Sequence, residues 1–249
     1  KYLIIYSKMF LTDKDIKYLE KYINPKYLTE SFLTSAQISL KSSPHVNHMI
    51  WDDFLLPSIY NKLISELDRK SYKKYHNTKT QEWYKKWTFF FKKSLYLWDI
   101  KNFFYGNSFA KYISIIVEKD IEVTPTKERK FLYTLFRLLF KKWLFFHEYQ
   151  KWGYLNRHTD GPIEQVVWSF VFYPNENWKK EYGWNLELWK KNKQTDPDNE
   201  EFIKPYLEII PRGNRLVFIK CEYNKSWHRV RKVLSDIPRI SIHEQLFYK

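Results

Sequence analysis

The sequence predicts a mainly β fold with α-helical support, in which strands of the C-terminal half close into a sandwich or barrel backed by helices from the N-terminal half. Three observations carry this. From about residue 144, short apolar or alternating runs recur at close spacing with turn residues between them, the pattern of an all-β sandwich or barrel. Before that point apolar residues recur mostly at helical spacing. Four of the five glycines, Gly153, Gly161, Gly183 and Gly213, fall in the strand-rich half, each at an expected turn or strand edge.

Taken in order, Thr12, Asp13 and Asp15 supply a helix start, and Ile16, Leu19, Tyr22 and Ile23 follow at helical spacing. Pro25 interrupts the pattern and a second helix is expected through Leu40. Residues 1–43 are therefore expected as a helical N-terminal extension, bounded by the turn-rich Lys41-Ser42-Ser43-Pro44. His45 to Pro57 reads as a strand running into a helix that starts near Pro57. Further helices are expected at 57–70 and about 107–119, with an aromatic-rich stretch from Trp83 to Trp98 between them. Trp83, Trp87, Phe90 and Phe91 could line a groove, but a chain that is 20% aromatic makes core packing the default. Phe131 to Phe146 is broken by Arg137, Lys141 and Lys142 and is read as a helix leading into a strand. The chain from 44 to 143 is thus helical support and 144–249 the β core. Strands are expected at Val166–Tyr173, Trp184–Trp189, Tyr206–Ile210, Arg215–Lys220, Trp227–Leu234 and Arg239–Tyr248.

Composition excludes several classes. One cysteine, Cys221, rules out an internal disulfide and fits a reducing compartment, hence a cytoplasmic location. It falls in an apolar run and is expected as buried filler. No signal peptide is visible, and no uninterrupted apolar run reaches the ~18 residues of a membrane span. The first residue is Lys rather than Met, as expected of a segment of a longer chain. The net charge of +15 suggests an acidic partner, yet nine Arg stand against 34 Lys in a chain rich in Tyr, Phe, Ile and Asn. Solvated lysine is the simpler reading of that bias. No Walker or Rossmann glycine loop is present, which argues against ATP and dinucleotide chemistry.

The chemistry-bearing stretch is Trp152-Gly153-Tyr154-Leu155-Asn156-Arg157-His158-Thr159-Asp160-Gly161. On a strand, alternate side chains face one way, so His158 and Asp160 can grip one ion. His228, in Ser226-Trp227-His228-Arg229-Val230, is the natural third ligand. Two histidines and one carboxylate leave half an octahedron open, the donor set of non-haem Fe(II) oxygenases. Eleven residues on, Arg239 begins an alternating strand as the residue type best suited to a bidentate grip on a carboxylate, with Ser241 on the same face. His45 and His48, three apart, lack a third nearby ligand and are expected as ordinary surface or core histidines.

From residues 146 to 248 the order Gly153-Tyr154-Leu155-x-x-His158-Thr159-Asp160, apolar strand, Gly183-x-x-Leu186-x-Leu188, Pro211-x-x-Asn214-x-Leu216-Val217-Phe218, His228-x-Val230 and Arg239-x-Ser241 resembles the Fe(II)/2-oxoglutarate-dependent dioxygenases, in their prolyl-hydroxylase-like branch. Asp52-Asp53-Phe54-Leu55-Leu56-Pro57 extends the likeness back to about residue 45. The resemblance implies a distorted double-stranded β-helix of the jelly-roll or cupin-like form, from 44 to 249. It implies Fe(II) held by His158, Asp160 and His228, 2-oxoglutarate as cosubstrate with its distal carboxylate on Arg239 and Ser241, O2, and ascorbate as a reductant the enzyme can draw on. A tyrosine upstream of the first metal histidine often touches the cosubstrate in this family. Tyr149 and Tyr154 both fit, and Tyr154 shares the strand parity of His158, as does Asn156.

The chain departs from the family at Tyr182-Gly183, where a glycine pair is frequent, and in the long charged loop Lys190 to Lys204. Both bear on the substrate, since loops at the mouth of such a barrel select it. A peptidyl residue, prolyl first, is the expected target, with a small molecule or glycan precursor as the alternative. The lysines favour an anionic substrate. A nucleic-acid demethylase of the same superfamily would carry a second Arg six residues after the anchor, where this chain has Gln245, so no DNA partner is expected. A non-catalytic jelly-roll binding module would have no need of three clustered ligands.

Overall fold

Side chains of Arg215–Lys220 divide by parity: Leu216 and Phe218 enter one buried cluster, Val217 and Ile219 another. A strand buried on both faces lies between two layers, and this one lies between a helical layer and a second sheet. The computed structural model describes residues 11–42, 46–68, 72–76, 85–91, 95–122, 143–149, 151–159, 166–189, 205–222 and 225–248, with backbone alone at some positions.

In chain order the elements are α1 (Asp13–Leu19), α2 (Glu30–Ser42), β1 (His48–Trp51), α3 (Pro57–Asp68), β2 (Tyr72–His76), β3 (Lys85–Phe91), α4 (Leu95–Phe104), α5 (Asn107–Val117), β4 (Ile121–Glu122) and β5 (Trp143–Tyr149). They continue with β6 (Leu155–His158), β7 (Val166–Tyr173), β8 (Leu186–Leu188), β9 (Leu207–Ile209), β10 (Arg215–Lys220), β11 (His228–Val230) and β12 (Arg239–Tyr248). The larger antiparallel sheet runs β1-β10-β7-β12-β5-β3-β2, with β4 also paired to β12, and the smaller runs β6-β11-β8-β9. Apart from the consecutive pairs β2–β3 and β8–β9, neighbours in both sheets are far apart in sequence, the crossing pattern of a double-stranded β-helix, so the fold is the expected one.

One face of the larger sheet carries Trp51, Trp168, Phe170, Phe172, Phe218, Ile242 and Leu246 against helical Leu19, Leu33, Leu63, Ile100, Phe104 and Phe109. Residues 12–42 thus share a core with the sheet. Between the sheets lie Tyr149, Tyr173, Val217, Leu186, Leu188, Ile209 and Val230. Strand parity on β12 sends Ile240 and Ile242 to the helical side and so turns Arg239 and Ser241, both buried, toward the space between the sheets.

Several expectations shift. Residues 95–104 form a helix not expected from the sequence, overlapping the end of the aromatic-rich stretch, because its apolar residues Leu97, Ile100, Phe103 and Phe104 recur at three and four and bury one face. Strands β2 and β3, in the stretch expected to be helical support, extend the larger sheet through β5. Cys221 is half-buried just past the end of β10, where its backbone N–H bonds Val167, rather than filler inside a strand. Residues 123–142, including most of Phe131 to Phe146, lie outside the described residues, as do Trp83 and the Lys190 to Lys204 loop. No described helix is long and apolar enough to cross a membrane.

Candidate active site

Strand β6 pairs antiparallel with β11 so that His158 lies directly opposite His228. Their ring centroids are 4.2 Å apart, tilted by 55°. His228 is 7% exposed, and its Nδ1 lies 3.0 Å from the Ser226 carbonyl. A proton on Nδ1 donates to that oxygen and leaves the lone pair on Nε2, which is how a metal-binding imidazole is oriented. Among the described residues no three His, Cys, Asp or Glu side chains gather, and Asp160 is not one of those residues.

The strands holding this pair are braced on their opposite face. Glu187 on β8 is 1% exposed and sits across from Arg229 on β11. Its carboxylate accepts from Arg229 Nε and, at 3.1 Å, pairs with Arg231. Arg157 on β6 stacks between Trp189 and Trp227, 5.3 and 5.8 Å from their ring centroids. Three strands are thereby cross-linked beside the histidines. Between Leu155 and His158 the register against β11 slips, Val230 opposing Leu155. That bulge breaks the strict alternation on which the parity of Tyr154 and Asn156 rests. Tyr154 lies before β6, half-buried, with Lys232 Nζ 5.8 Å from its ring; the Asn156 side chain lies outside what is described.

Arg239 is only 2% exposed. Its guanidinium carbon stands 3.3 Å from the Trp184 ring centroid, 4.6 Å from Tyr173 and 5.7 Å from Tyr149, its cross-strand partner on β5. Tyr149 and Trp184 meet edge to face at 4.2 Å. Asn175 fixes the adjoining backbone: the Ile240 N–H donates to its Oδ1 at 2.7 Å, and its Nδ2 donates to the Ile240 carbonyl at 2.9 Å. Among the described residues no carboxylate pairs with Arg239. Burial pulls the Arg239 pKa down, which Tyr173 and Tyr149 partly oppose; burial raises the Tyr173 pKa, which Arg239 partly offsets.

Arg239 Nε, Tyr173 Oη and Trp184 Nε1 are all buried without a hydrogen-bond partner of normal geometry among the described residues, although the Tyr173 hydroxyl lies near enough to the Arg239 guanidinium to ease its burial. Leaving such donors unmatched costs about 1–3 kcal/mol each, more for a charge. A carboxylate offers about four lone-pair sites and would satisfy this set. The donor chemistry therefore fits a dicarboxylate cosubstrate, just as the paired imidazoles fit a divalent transition metal.

The structure thus brings His158 to His228 and Tyr149 to Arg239, places Ser241 buried two residues on, and leaves Tyr154 beside Lys232. Two residues that sequence reasoning missed complete the Arg239 environment. Tyr173 had a signal: it closes β7 on the parity of Val171, which packs between the sheets. Trp184 had none, because its backbone takes φ +66, a conformation unexpected for a bulky residue.

Residues 144–246 match the family model of the 2OG-Fe(II) oxygenase superfamily. No curated protein sequence matches the chain. Among solved structures, a prolyl hydroxylase from Trichoplax adhaerens, in complex with a hypoxia inducible factor peptide fragment, is 12% identical with a TM-score of 0.56, covering 96% of this chain and 94% of its own. An oxidoreductase of the 2OG-Fe(II) oxygenase family from Burkholderia pseudomallei is 10% identical with a TM-score of 0.54, over 88% and 91%. Prolyl 4-hydroxylase from Phytophthora capsici is 14% identical with a TM-score of 0.54, over 99% and 70%. At these identities the structures share the fold. The family match covers the strand-rich part of the chain and the solved structures share its fold, so the 2OG-Fe(II) oxygenases are the family this chain is similar to. That family implies Fe(II) and 2-oxoglutarate.

Proposed function

We propose that the chain is a 2-oxoglutarate-dependent hydroxylase, with His158, Asp160 and His228 as the Fe(II) ligands and Arg239, supported by Ser241, Tyr149 and Tyr173, as the cosubstrate anchor. The observation that carries this reading is the buried guanidinium held in an aromatic box with no acidic partner among the described residues, together with two histidines apposed across neighbouring strands. When bound, Fe(II) and 2-oxoglutarate supply O2-dependent hydroxylation of a C–H bond coupled to formation of succinate and CO2, with ascorbate as an auxiliary reductant. The chain's own part is positioning and shielding. His228 is oriented by the Ser226 carbonyl, and His158 is held opposite it by strand register. Arg239 receives the distal carboxylate, and the apolar residues between the sheets, among them Leu186, Leu188 and Val230, exclude water from the space around it.

A peptidyl substrate, prolyl first, is the reading for the target, with a small molecule or glycan precursor behind it. The Trichoplax structure, a prolyl hydroxylase holding a peptide on the same fold, supports this order. The test is anaerobic metal titration followed by a succinate assay. One Fe(II) per chain is expected, lost in His158→Ala and Asp160→Ala, with slow succinate formation even before a substrate is found. Full metal stoichiometry in the double variant His158→Ala with His228→Ala would sink the ligand assignment.

A further inference from the structure

We infer that Trp184 is a cosubstrate-binding residue: its indole face fixes the plane of the Arg239 guanidinium, and its Nε1–H is a donor to the same carboxylate. This rests on the cosubstrate reading above and adds a residue to it.

The conformation of Trp184 is the first observation. Gly183 has φ +74 and Trp184 φ +66, so two consecutive residues leave the ordinary allowed regions. Glycine does so without strain, and at Gly183 a Cβ would also overlap the Lys232 carbonyl. Tryptophan does not, and bulky side chains rarely persist there unless the surroundings hold them. Those surroundings are present. The Gly183 backbone bridges to Val233, Leu234 N–H bonds the Tyr182 carbonyl at 2.9 Å, and Trp178 Nε1 donates to the Gly183 carbonyl at 3.2 Å. The effect of holding this backbone is to deliver a wholly buried indole onto Arg239.

The contact itself is the second observation. A guanidinium carbon 3.3 Å from the ring centroid lies over the indole ring in close contact, so rotation of Arg239 about its last side-chain bonds is restricted. Tyr149 meets the indole edge to face from another side. An anchor stiffened in this way loses less freedom when it takes a carboxylate, which is where stacking contributes to affinity.

The third observation is the indole nitrogen. It is a donor only, it cannot lose its proton at ordinary pH, and here it is buried without a partner. It shares that state with Arg239 Nε and Tyr173 Oη around one buried cation. Trp178 satisfies its N–H on a backbone carbonyl, whereas the Nε1 groups of Trp184 and Trp189 have no partner among the described residues; what sets Trp184 apart is its place against Arg239. An unsatisfied one beside two other unsatisfied donors fits a shared acceptor.

The experiment uses the Zn(II)-loaded protein, which is diamagnetic and does not turn over. Indole N–H resonances are recorded by 15N NMR, and the Trp184 signal is the one missing from Trp184→Phe or, should that variant fail to fold, from Trp184→Tyr. Adding 2-oxoglutarate is expected to move that signal downfield, while pyruvate, which lacks the distal carboxylate, leaves it in place. Calorimetry is expected to show 2-oxoglutarate bound about tenfold more weakly by Trp184→Phe, which keeps an aromatic face but loses the donor, and weaker still by Trp184→Gly, which loses both. Metal stoichiometry should not change in either variant. If wild type binds 2-oxoglutarate while the Trp184 resonance stays fixed and both variants bind as well as wild type, Trp184 is packing alone and this inference fails. If folded, metal-loaded wild type does not bind 2-oxoglutarate, the reading of the Arg239 pocket itself fails.

Discussion

At the scale of single residues, the proposed role of the Arg239 guanidinium as a carboxylate receptor rests on what its neighbours lack. Three aromatic rings surround it and none neutralises it, so removing the cation and removing its geometry should have different consequences. Truncation of one partner of a buried ion pair typically costs about 3–5 kcal/mol, so Arg239→Ala is expected to raise the 2-oxoglutarate requirement roughly a hundredfold or more. Arg239→Lys keeps the charge but not the fork or the stack and should fall between. Unchanged 2-oxoglutarate affinity in Arg239→Ala would require another anchor. Tyr173→Phe deletes one hydroxyl from a fully buried ring and should weaken binding about tenfold or more, as for a hydrogen bond to a charged group, with metal affinity unaltered. The residue scale was also the most legible one. The histidines and Arg239 stood out as candidates because their types and intervals are chemically demanding, whereas Trp184 depends on a backbone conformation that no residue type announces.

At the scale of elements, the site depends on strands held at both ends by buried amides. Asn214, in the left-handed region at φ +57, clamps the residues after β1: the Leu55 N–H donates to its Oδ1 at 2.8 Å and its Nδ2 donates to the Leu55 carbonyl at 2.9 Å. Both bonds are buried, so Asn214→Ala should cost about 2–4 kcal/mol in chemical denaturation by orphaning two backbone groups and straining a φ that alanine tolerates poorly. Helix α1 is tied down differently. Thr12 and Asp15 form a capping box, and the Asp15 carboxylate also accepts from Ser108 at 2.7 Å and Lys111 at 2.8 Å. Burial alone would raise its pKa, but the bonds from Lys111, Ser108 and Thr12 outweigh it and hold the carboxyl well below the usual range. Its contribution is therefore complete above the unfolded value of about 4 and is lost as pH falls toward the depressed folded value. Thermal melts should show wild type losing stability below about pH 4 more steeply than Asp15→Asn; parallel profiles would mean that the cluster contributes nothing. The Thr12 start of α1 was readable because capping is local in sequence. The bulge in β6 and the addition of β2 and β3 to the larger sheet were not, because register and sheet order are settled by contacts between distant segments.

At the scale of the molecule, the alternation along β7, β10 and β12 already contained the two-layered core, since each apolar parity needed its own partner layer. What the sequence left open is the substrate, and the reason is physical: recognition rests on loops and on long-range charge, neither of which has a periodic signature. The charge of +15 is the remaining lever. Arg215 and Arg229 are paired with Asp52 and Glu187, yet with 43 Lys and Arg against 28 Asp and Glu over the whole chain, one-to-one pairing leaves 15 cations without an acid of their own. If that excess steers an anionic substrate, the steering must be screened by salt, because the Debye length falls from about 10 Å at 0.1 M toward about 3 Å at 1 M. A succinate-production screen of acidic and neutral prolyl peptides, free amino acids and nucleotide sugars, run at low and about 0.5 M salt, separates the cases. An acidic peptide is expected to stimulate most, with KM rising at high salt while kcat holds, since attraction over a distance acts on encounter more than on chemistry. A neutral substrate whose turnover ignores salt would make the positive charge a matter of solvation alone, and a nucleotide sugar as the best stimulant would move the target from peptides to small anions.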